Sequence, residues 1–307
     1  MILQFSQQAP QGCIPVLVAS VSAAVAVVER RCRLCSSDCL LKSLRILPDV
    51  FFTEAWKNGG KDRRMRAAYK LSDHVRIDFG PDSFCQELKY QLHSENLKHL
   101  FITHSHEDHL YCDLLDYRRP GFSVVAEDNI LNIYGNVGVM DAIYTHFAKK
   151  RCNFKFYRLN PVEVTAFEPV ELPEEDMTFY PLIANHMPTE QPNFYVIRHG
   201  QKWLMIANDT GYFCEEDWQF LEKLHVRFAV VITDCTGGIL DIRDGHMSGK
   251  YVTDTKKRLE EMGCVDRETK YFINHFSHNG RLTHAEFEAH YAPYGIGVGF
   301  DGLEIEY

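Results

Sequence analysis

The string Thr103-His104-Ser105-His106-Glu107-Asp108-His109 places four cation-binding side chains within six residues. His104 and His106 leave the apolar run Leu100-Phe101-Ile102 two residues apart, so both imidazoles project to one side of a strand end. Asp108 and His109 follow where a helix is expected to begin, and the turn of the chain aims them at a neighbouring point. Imidazole and carboxylate together suit Zn²⁺, Mn²⁺ or Fe²⁺, whereas Mg²⁺ and Ca²⁺ prefer all-oxygen shells. A solvated His-rich loop is the competing reading. The buried strand expected just before the motif argues for metal.

Four more apolar runs end in a metal-capable or acidic side chain. They are Leu182-Ile183 before His186, Leu204-Met205-Ile206 before Asp209, Val230-Val231-Ile232 before Asp234, and Phe272-Ile273 before His275. Short apolar runs bounded by Gly, Asn and Asp read as buried strands, and ligands in layered α/β folds gather where strands end. Five strand ends are therefore expected to converge on one site. The alternation over Asp73 to Gly80 predicts a half-exposed strand. Helices are expected at 108–117, 215–224, 249–262 and 283–291, between the strands. Pro161 to Pro181 reads as an acidic, Pro-punctuated connection.

The order Asp78 in IDFGPD, then the histidine motif, His186 in ANHMPTE, Asp209 in NDTGYF and His275 in INHFSHNG resembles the metallo-β-lactamase superfamily. That resemblance implies an αββα sandwich of the α/β class with two metals at one edge of paired sheets. It implies His104, His106 and His186 on the first metal, Asp108, His109 and His275 on the second, and Asp209 bridging them. Two cations about 3.5–4 Å apart can share a hydroxide and clamp both sides of a displacement. Asp78 and Asp234 are read as braces for ligand histidines or for the motif backbone.

Within the superfamily, residues 59–307 are most similar to the phosphoribosyl cyclic phosphodiesterase of phosphonate breakdown and its relatives. The similarity rests on GGKDRRMRAAYKL before IDFGPD, on DGHMS at Asp244 to Ser248, and on NHFSHNG followed by GVGFDGLEI. It implies a small cyclic or diester phosphate as substrate, Zn or Mn as the two ions, and His246 as the acid that protonates the departing oxygen. Other readings are RNA-processing or thioester/lactone hydrolysis within the superfamily, or a noncatalytic metal-binding module.

Cys32, Cys35 and Cys39 have a spacing that can form part of a structural zinc site. The branch resemblance completes it with His278, three residues after His275; reduced, unpaired thiols are the equal alternative. Resemblance lapses over residues 6–56, where Ser6-Gln7-Gln8 follows a first strand at Met1 to Phe5, so an insertion or local frame change there is a further reading. The expected division is thus a divergent segment 1–57 and a hydrolase domain 58–307, within one domain overall.

The remaining composition limits partners. The chain of 307 residues is 45% hydrophobic and 24% charged, which fits an ordinary globular protein and not a disordered one. With 33 Lys and Arg against 42 Asp and Glu, the net charge is −9, so long nucleic acid is not an expected partner. Arg63, Arg64 and Arg66 read as a solvated face, with an anion-contacting edge near the metals as the alternative. The apolar stretch Cys13 to Val28 is shorter than the ~20 residues a membrane span needs, and no membrane partner is expected. Cys85, Cys112, Cys152, Cys214, Cys235 and Cys264 read as small buried hydrophobes, and the scattered thiols suggest a reducing cytoplasm. Self-association into a homodimer is left open.

Overall fold

Valine, isoleucine and aromatic runs form the strands that carry the site, and a computed structural model describes residues 16–19, 54–55, 57–150 and 153–307. In chain order the strands are β1 (Val16–Ala19), β2 (Ala68–Lys70), β3 (Val75–Ile77), β4 (His99–Phe101), β5 (Leu131–Gly135), β6 (Leu159–Glu163) and β7 (Val170–Leu172). They continue with β8 (Met177–Ile183), β9 (Asn193–His199), β10 (Lys202–Ala207), β11 (Phe228–Asp234), β12 (Lys270–Asn274), β13 (Gly297–Val298) and β14 (Leu303–Ile305). The α-helices are α1 (Ser83–Tyr90), α2 (Cys112–Leu115), α3 (Val137–Ala148), α4 (Phe154–Tyr157), α5 (Glu215–Leu224), α6 (Lys250–Glu261) and α7 (His284–Tyr291).

Two seven-stranded sheets result, in the orders β14-β1-β2-β3-β4-β5-β6 and β13-β12-β11-β10-β9-β8-β7. Each is half parallel and half antiparallel: β3 through β6 run parallel in the first, β10 through β13 in the second. Because β8 and β10 are both antiparallel to β9, β8 points the same way as β10. The C-terminal ends of β8, β10, β11 and β12 therefore share one edge. The described part of the first 57 residues includes β1, which pairs with both β14 and β2 inside the first sheet.

Three apolar clusters define four layers. Between the sheets lie Ile77, Phe101, Phe179, Tyr195, Ile206 and Ile232, with Phe101 stacked on Phe179 at 3.7 Å. Outside the second sheet, Trp218, Leu221, Val252, Leu259, Phe287 and Tyr291 pack α5, α6 and α7. Outside the first, Leu100, Ile102, Ile133, Val139, Ile143 and Phe147 pack α3. This is an αββα sandwich, as the sequence implies. Burying both faces of a sheet explains why its strands read as short continuous apolar runs.

Several local expectations change. The strand over Val75–Ile77 is buried on both faces, not half-exposed. Arg76 is covered by α1, where its guanidinium donates to Ser83 Oγ at 2.8 Å and Gln86 Oε1 at 2.6 Å. The expected helix at 108–117 shrinks to α2, because Phe79 takes the backbone of His109 and Tyr111 into a bridge and holds Asp108 and His109 in a turn. Pro161 to Pro181 holds part of β6, all of β7 and the start of β8, with Pro161 tolerated because β6 is a sheet edge. The helix at 137–148 is capped by Asn136, whose side chain accepts from Val139 N–H at 3.0 Å.

The expected Cys32, Cys35, Cys39 zinc set, Cys152 and the strand at Met1 to Phe5 lie outside the described residues. Cys85 is exposed and Cys112 and Cys214 are half-buried, so only Cys235 and Cys264 of the described thiols are core residues. Cys214 instead caps α5, its backbone and thiol both facing the Asp217 carboxylate. Among the described residues no helix is long and apolar enough to cross a membrane.

Candidate metal centre

Three site residues sit just beyond strand ends with left-handed backbones: Asp78 at φ 60°, Asp209 at φ 47° and His275 at φ 60°. The abrupt turn lifts each side chain off its strand and into the gap between the sheets. Asp, Asn and His enter this region more readily than other non-glycine residues, but each such position still stores strain. Gly80 makes a second local requirement, since a Cβ at that position would lie 2.0 Å from the Asp108 carbonyl oxygen. Only glycine lets the histidine loop close against IDFGPD.

The structure brings two ligand sets together on either side of Asp209. In the first, His106 Nδ1 lies 2.9 Å from His104 Nε2 and 3.2 Å from His186 Nε2. In the second, His109 Nε2 is 3.6 Å from Asp108 Oδ2 and 2.5 Å from Asp209 Oδ2, and His275 Nε2 is 2.7 Å from the same Asp209 oxygen. The other oxygen of Asp209 faces His186 Nε2 at 3.8 Å. Groups His104, His106, His186 and Asp108, His109, His275 each have ligand atoms close enough to hold one ion. Asp209, Asp234, His246 and His275 form a further such group.

The outer ring atoms decide which nitrogens face inward. His186 Nδ1–H donates to the Gly245 carbonyl at 2.6 Å, and His109 Nδ1–H to Asp78 Oδ2 at 2.7 Å. His104 Nδ1 faces Thr103 Oγ1 at 3.0 Å, and His275 Nδ1 faces Thr236 Oγ1 at 2.7 Å. With Nδ1 occupied, each ring turns Nε2 to the centre, where the neutral imidazole offers its lone pair. His106 Nε2, by contrast, faces only the Met187 thioether, at 3.1 Å.

Asp78 braces both the motif histidine and the motif backbone, accepting also from Thr103 N–H at 2.9 Å. Asp234 is the corresponding hub of the second sheet, accepting from the N–H groups of Asp209, Thr236 and Met247 at 3.1, 2.9 and 3.1 Å.

Electrostatics separates the two sets. Burial pushes His104 well down and lowers His186, which keeps both imidazoles neutral, the form that can ligate. At His109 and His275 burial acts the same way but Asp209 outweighs it, raising His109 well above the ordinary range and His275 to about 10. Asp209 itself is driven well below the carboxylate range, because His275 and His109 overcome its desolvation. Yet His109 Nε2, His275 Nε2 and Asp209 Oδ2 are buried and make no aligned hydrogen bond among the described residues. Three converging polar atoms left in this way fit a divalent cation of the imidazole and carboxylate class.

His246 belongs to the same rim. Its Nδ1 lies 3.2 Å from Asp234 Oδ2, 3.1 Å from Thr236 Oγ1 and 3.4 Å from Asp209 Oδ1, and its side chain is 22% exposed. His278 stands apart, exposed in the turn after His275. Of the three arginines only Arg63 is exposed as a solvated face would have it; Arg66 is paired with Asp82 at 3.1 Å, and Arg64 lies over the Phe276 ring at 4.2 Å. Asp113, Asp116 and His146 form a separate acidic group, but Lys150 Nζ neutralises Asp116 at 2.6 Å.

Sequence reading did not single out Thr236, Thr103 or Glu190. Glu190 accepts from Ser105 N–H at 2.7 Å and Ser105 Oγ–H at 2.6 Å, tying the His186 loop to the His104–His106 loop. The one available signal was position: Thr103 and Glu190 lie within four residues of a candidate ligand, and Thr236 two residues after the brace Asp234.

A profile of the family described as beta-lactamase superfamily domain matches residues 74–273. The chain belongs to this superfamily. Its fold is similar to that of a diphosphatase from the PhnP family, with a TM-score of 0.65 at 19% identity over 95% of this chain and 96% of that one. It is similar too to Zn²⁺-bound PqqB from Methylobacterium extorquens, with a TM-score of 0.64, 13% identity and coverage of 96% and 100%. The short form of human tRNase Z gives a TM-score of 0.54 at 18% identity, covering 79% of this chain and 92% of that one. No curated protein matches the sequence. Superfamily membership carries the class of metal-dependent hydrolase, and the His and Asp groups are candidate divalent-metal sites.

Proposed function

We propose that this chain is a dinuclear metal-dependent phosphodiesterase acting on a small cyclic or diester phosphate. The observation that carries the reading is the rim of the centre: Asp209 turns one oxygen to each ligand set, and His246 stands beside it with Nδ1 fixed on Asp234. His104, His106 and His186 would hold one ion, Asp108, His109 and His275 the other, and Asp209 would span both. Two Zn²⁺ or Mn²⁺ ions bound there supply Lewis acidity to phosphoryl oxygens and acidify water.

The residues of the chain do the rest. Asp234 and Thr236 hold the Nδ1 edge of His246, which leaves Nε2 as the atom that gives a proton to the departing alkoxide. Similar folds occur in a PhnP-family diphosphatase and in yeast PDE1, and the net charge of −9 favours a small substrate over RNA.

The test compares leaving groups. His246→Ala is expected to keep its metals and to lose about 10²–10⁴-fold on a ribose cyclic phosphate. On bis-p-nitrophenyl phosphate, whose leaving group needs no proton, the loss is expected to be much smaller. Equal losses on both substrates would remove the acid role, and turnover of a thioester, lactone or precursor tRNA without phosphodiesterase activity would overturn the substrate class. Elemental analysis of chelator-free protein is expected to give two transition-metal equivalents, or three if Cys32, Cys35, Cys39 and His278 hold a structural zinc. A value well under one, unrecovered by Zn²⁺ or Mn²⁺, would refute the metal reading.

A further inference from the structure

Both metal positions of the proposed dinuclear centre are shared between the sheets. His104, His106, Asp108 and His109 follow β4 of the first sheet, whereas His186, Asp209 and His275 follow β8, β10 and β12 of the second. The width of the gap between sheets therefore sets how well either ligand set closes. Apolar packing sets the width of such a gap, but being non-directional it does not by itself fix where each strand end sits. A directional contact placed close behind the ligands does.

Two tyrosines make such contacts, in opposite directions. Tyr69 of β2 in the first sheet is 1% exposed, and its hydroxyl accepts from the side-chain amides of Asn208 and, at 2.7 Å, of Asn274 in the second sheet. Asn208 immediately precedes Asp209, and Asn274 immediately precedes His275. Tyr195 of β9 in the second sheet is fully buried and donates its hydroxyl proton to the Ile102 carbonyl of the first sheet at 2.8 Å. Ile102 lies two residues before His104. Each tyrosine thus reaches from its own sheet to the chain just behind ligands on the other.

We propose that Tyr69 and Tyr195 are positioning residues for the metal centre, each tuning a different ion position. Tyr69 fixes the tip that carries Asp209, which both positions share, and the tip that carries His275, which belongs to the Asp108, His109, His275 position alone, so that position feels its loss most. Tyr195 fixes the tip that carries His104 and His106, and so governs the position completed by His186. Neither touches an ion or substrate. This rests on the reading of the two clusters as metal sites.

The test isolates each position. In a His104→Ala background only the Asp108, His109, His275 position is complete, and in a His275→Ala background only the other. Zn²⁺ affinity is measured in each by competition with a chromogenic chelator, and Co²⁺ absorption spectra report ligand geometry. Tyr69→Phe is expected to weaken Zn²⁺ about tenfold in the first background, the lower end of what outer partners of metal ligands contribute, and less than twofold in the second. Tyr195→Phe is expected to show the reverse order.

Tyr157→Phe removes an equally buried tyrosine from the outer core of the first sheet and serves as the control, with both affinities unchanged. Should Tyr69→Phe not fold, Asn274→Ala removes the partner of the same contact that precedes His275 and is expected to show the same selective loss. Equal losses at both positions, or lowered melting temperatures with unchanged Zn²⁺ affinities and Co²⁺ spectra, would overturn the proposal. Absence of Zn²⁺ binding by the wild-type chain would instead overturn the metal reading beneath it.

Discussion

Replacing Asp78 by Asn changes no shape and little backbone energy, because Asn tolerates the φ of 60° found there. What changes is the pattern of donors. The carboxylate accepts from Thr103 N–H through Oδ1 at 2.9 Å and from His109 Nδ1–H through Oδ2 at 2.7 Å. A backbone N–H cannot become an acceptor, so the Asn carbonyl must stay on Thr103 and the amide NH₂ must face His109. His109 then either shifts its proton to Nε2, losing the lone pair turned toward Asp209, or keeps it and opposes one donor with another. Losing a hydrogen bond to a charged group costs about 1.5–3 kcal/mol, so a value near 3 kcal/mol corresponds to ~10²-fold in affinity. Asp78→Asn is therefore expected to keep one metal at full affinity and to bind the second about 10²-fold more weakly in chelator competition, with catalytic rate falling in step at limiting metal. Two equivalents bound with an unchanged competition profile would refute the tautomer argument.

Gly80→Ala attacks the same position from the backbone side: the new Cβ would meet the Asp108 carbonyl oxygen at 2.0 Å and its carbon at 2.8 Å, so the turn holding Asp108 and His109 must move. Loss of the second metal equivalent with about 1–3 kcal/mol of destabilisation is expected, read by elemental analysis and thermal melts. A prediction away from the metals concerns Asp217, which burial pushes up to about 6 against hydrogen bonds from Cys214 and Ile183. Its folded pKa exceeds the unfolded value, so it stabilises the protein below about pH 4 and that contribution is lost as pH rises to about 6; Asp217→Asn is expected to remove up to about 3 kcal/mol of this dependence, seen as a wild-type melting temperature that falls relative to the variant's between pH 4 and 7.

The elements most legible in the sequence are those whose signal is local. Glu215 to Leu224 forms a helix over the expected span, and Thr283 caps α7 through a reciprocal contact with Glu286. The runs ending at Asp209, Asp234 and His275 form parallel strands whose ends share an edge, since buried parallel strands need continuous apolar sequence. What was not legible depended on distant partners. Arg76 alternates like an exposed residue, yet α1 supplies Ser83 and Gln86 to bury it. Asp108 to Tyr117 has helical composition, but the bridge to Phe79 overrides propensity in its first turn. β7 and the start of β8 were hidden because Pro161 to Pro181 reads as punctuation: Pro161 sits on the edge strand β6, and Pro181 lies in β8 beyond the register of β7, which ends at Phe179.

The same division runs through the candidate site. His104, His106, Asp108 and His109 stand in one string, so their chemistry shows at the level of spacing. The partners that orient them come from elsewhere: Asp78 is 31 residues from His109, and Gly245 is 59 from His186. Spacing can therefore nominate ligands but not tautomers, and the tautomer determines whether a nitrogen offers a lone pair. Backbone strain carries the remaining information. Holding Asp78, Asp209 and His275 in the left-handed region costs of order 1 kcal/mol or more at each non-glycine position, and glycine would remove that cost. Glycine would also remove the carboxylate or imidazole that the turn presents, to the centre from Asp209 and His275 and to His109 from Asp78. Strain retained at the ends of three strands on two sheets, two presenting candidate ligands and one bracing a ligand histidine, is the arrangement expected when the side chain is worth more than the backbone it distorts.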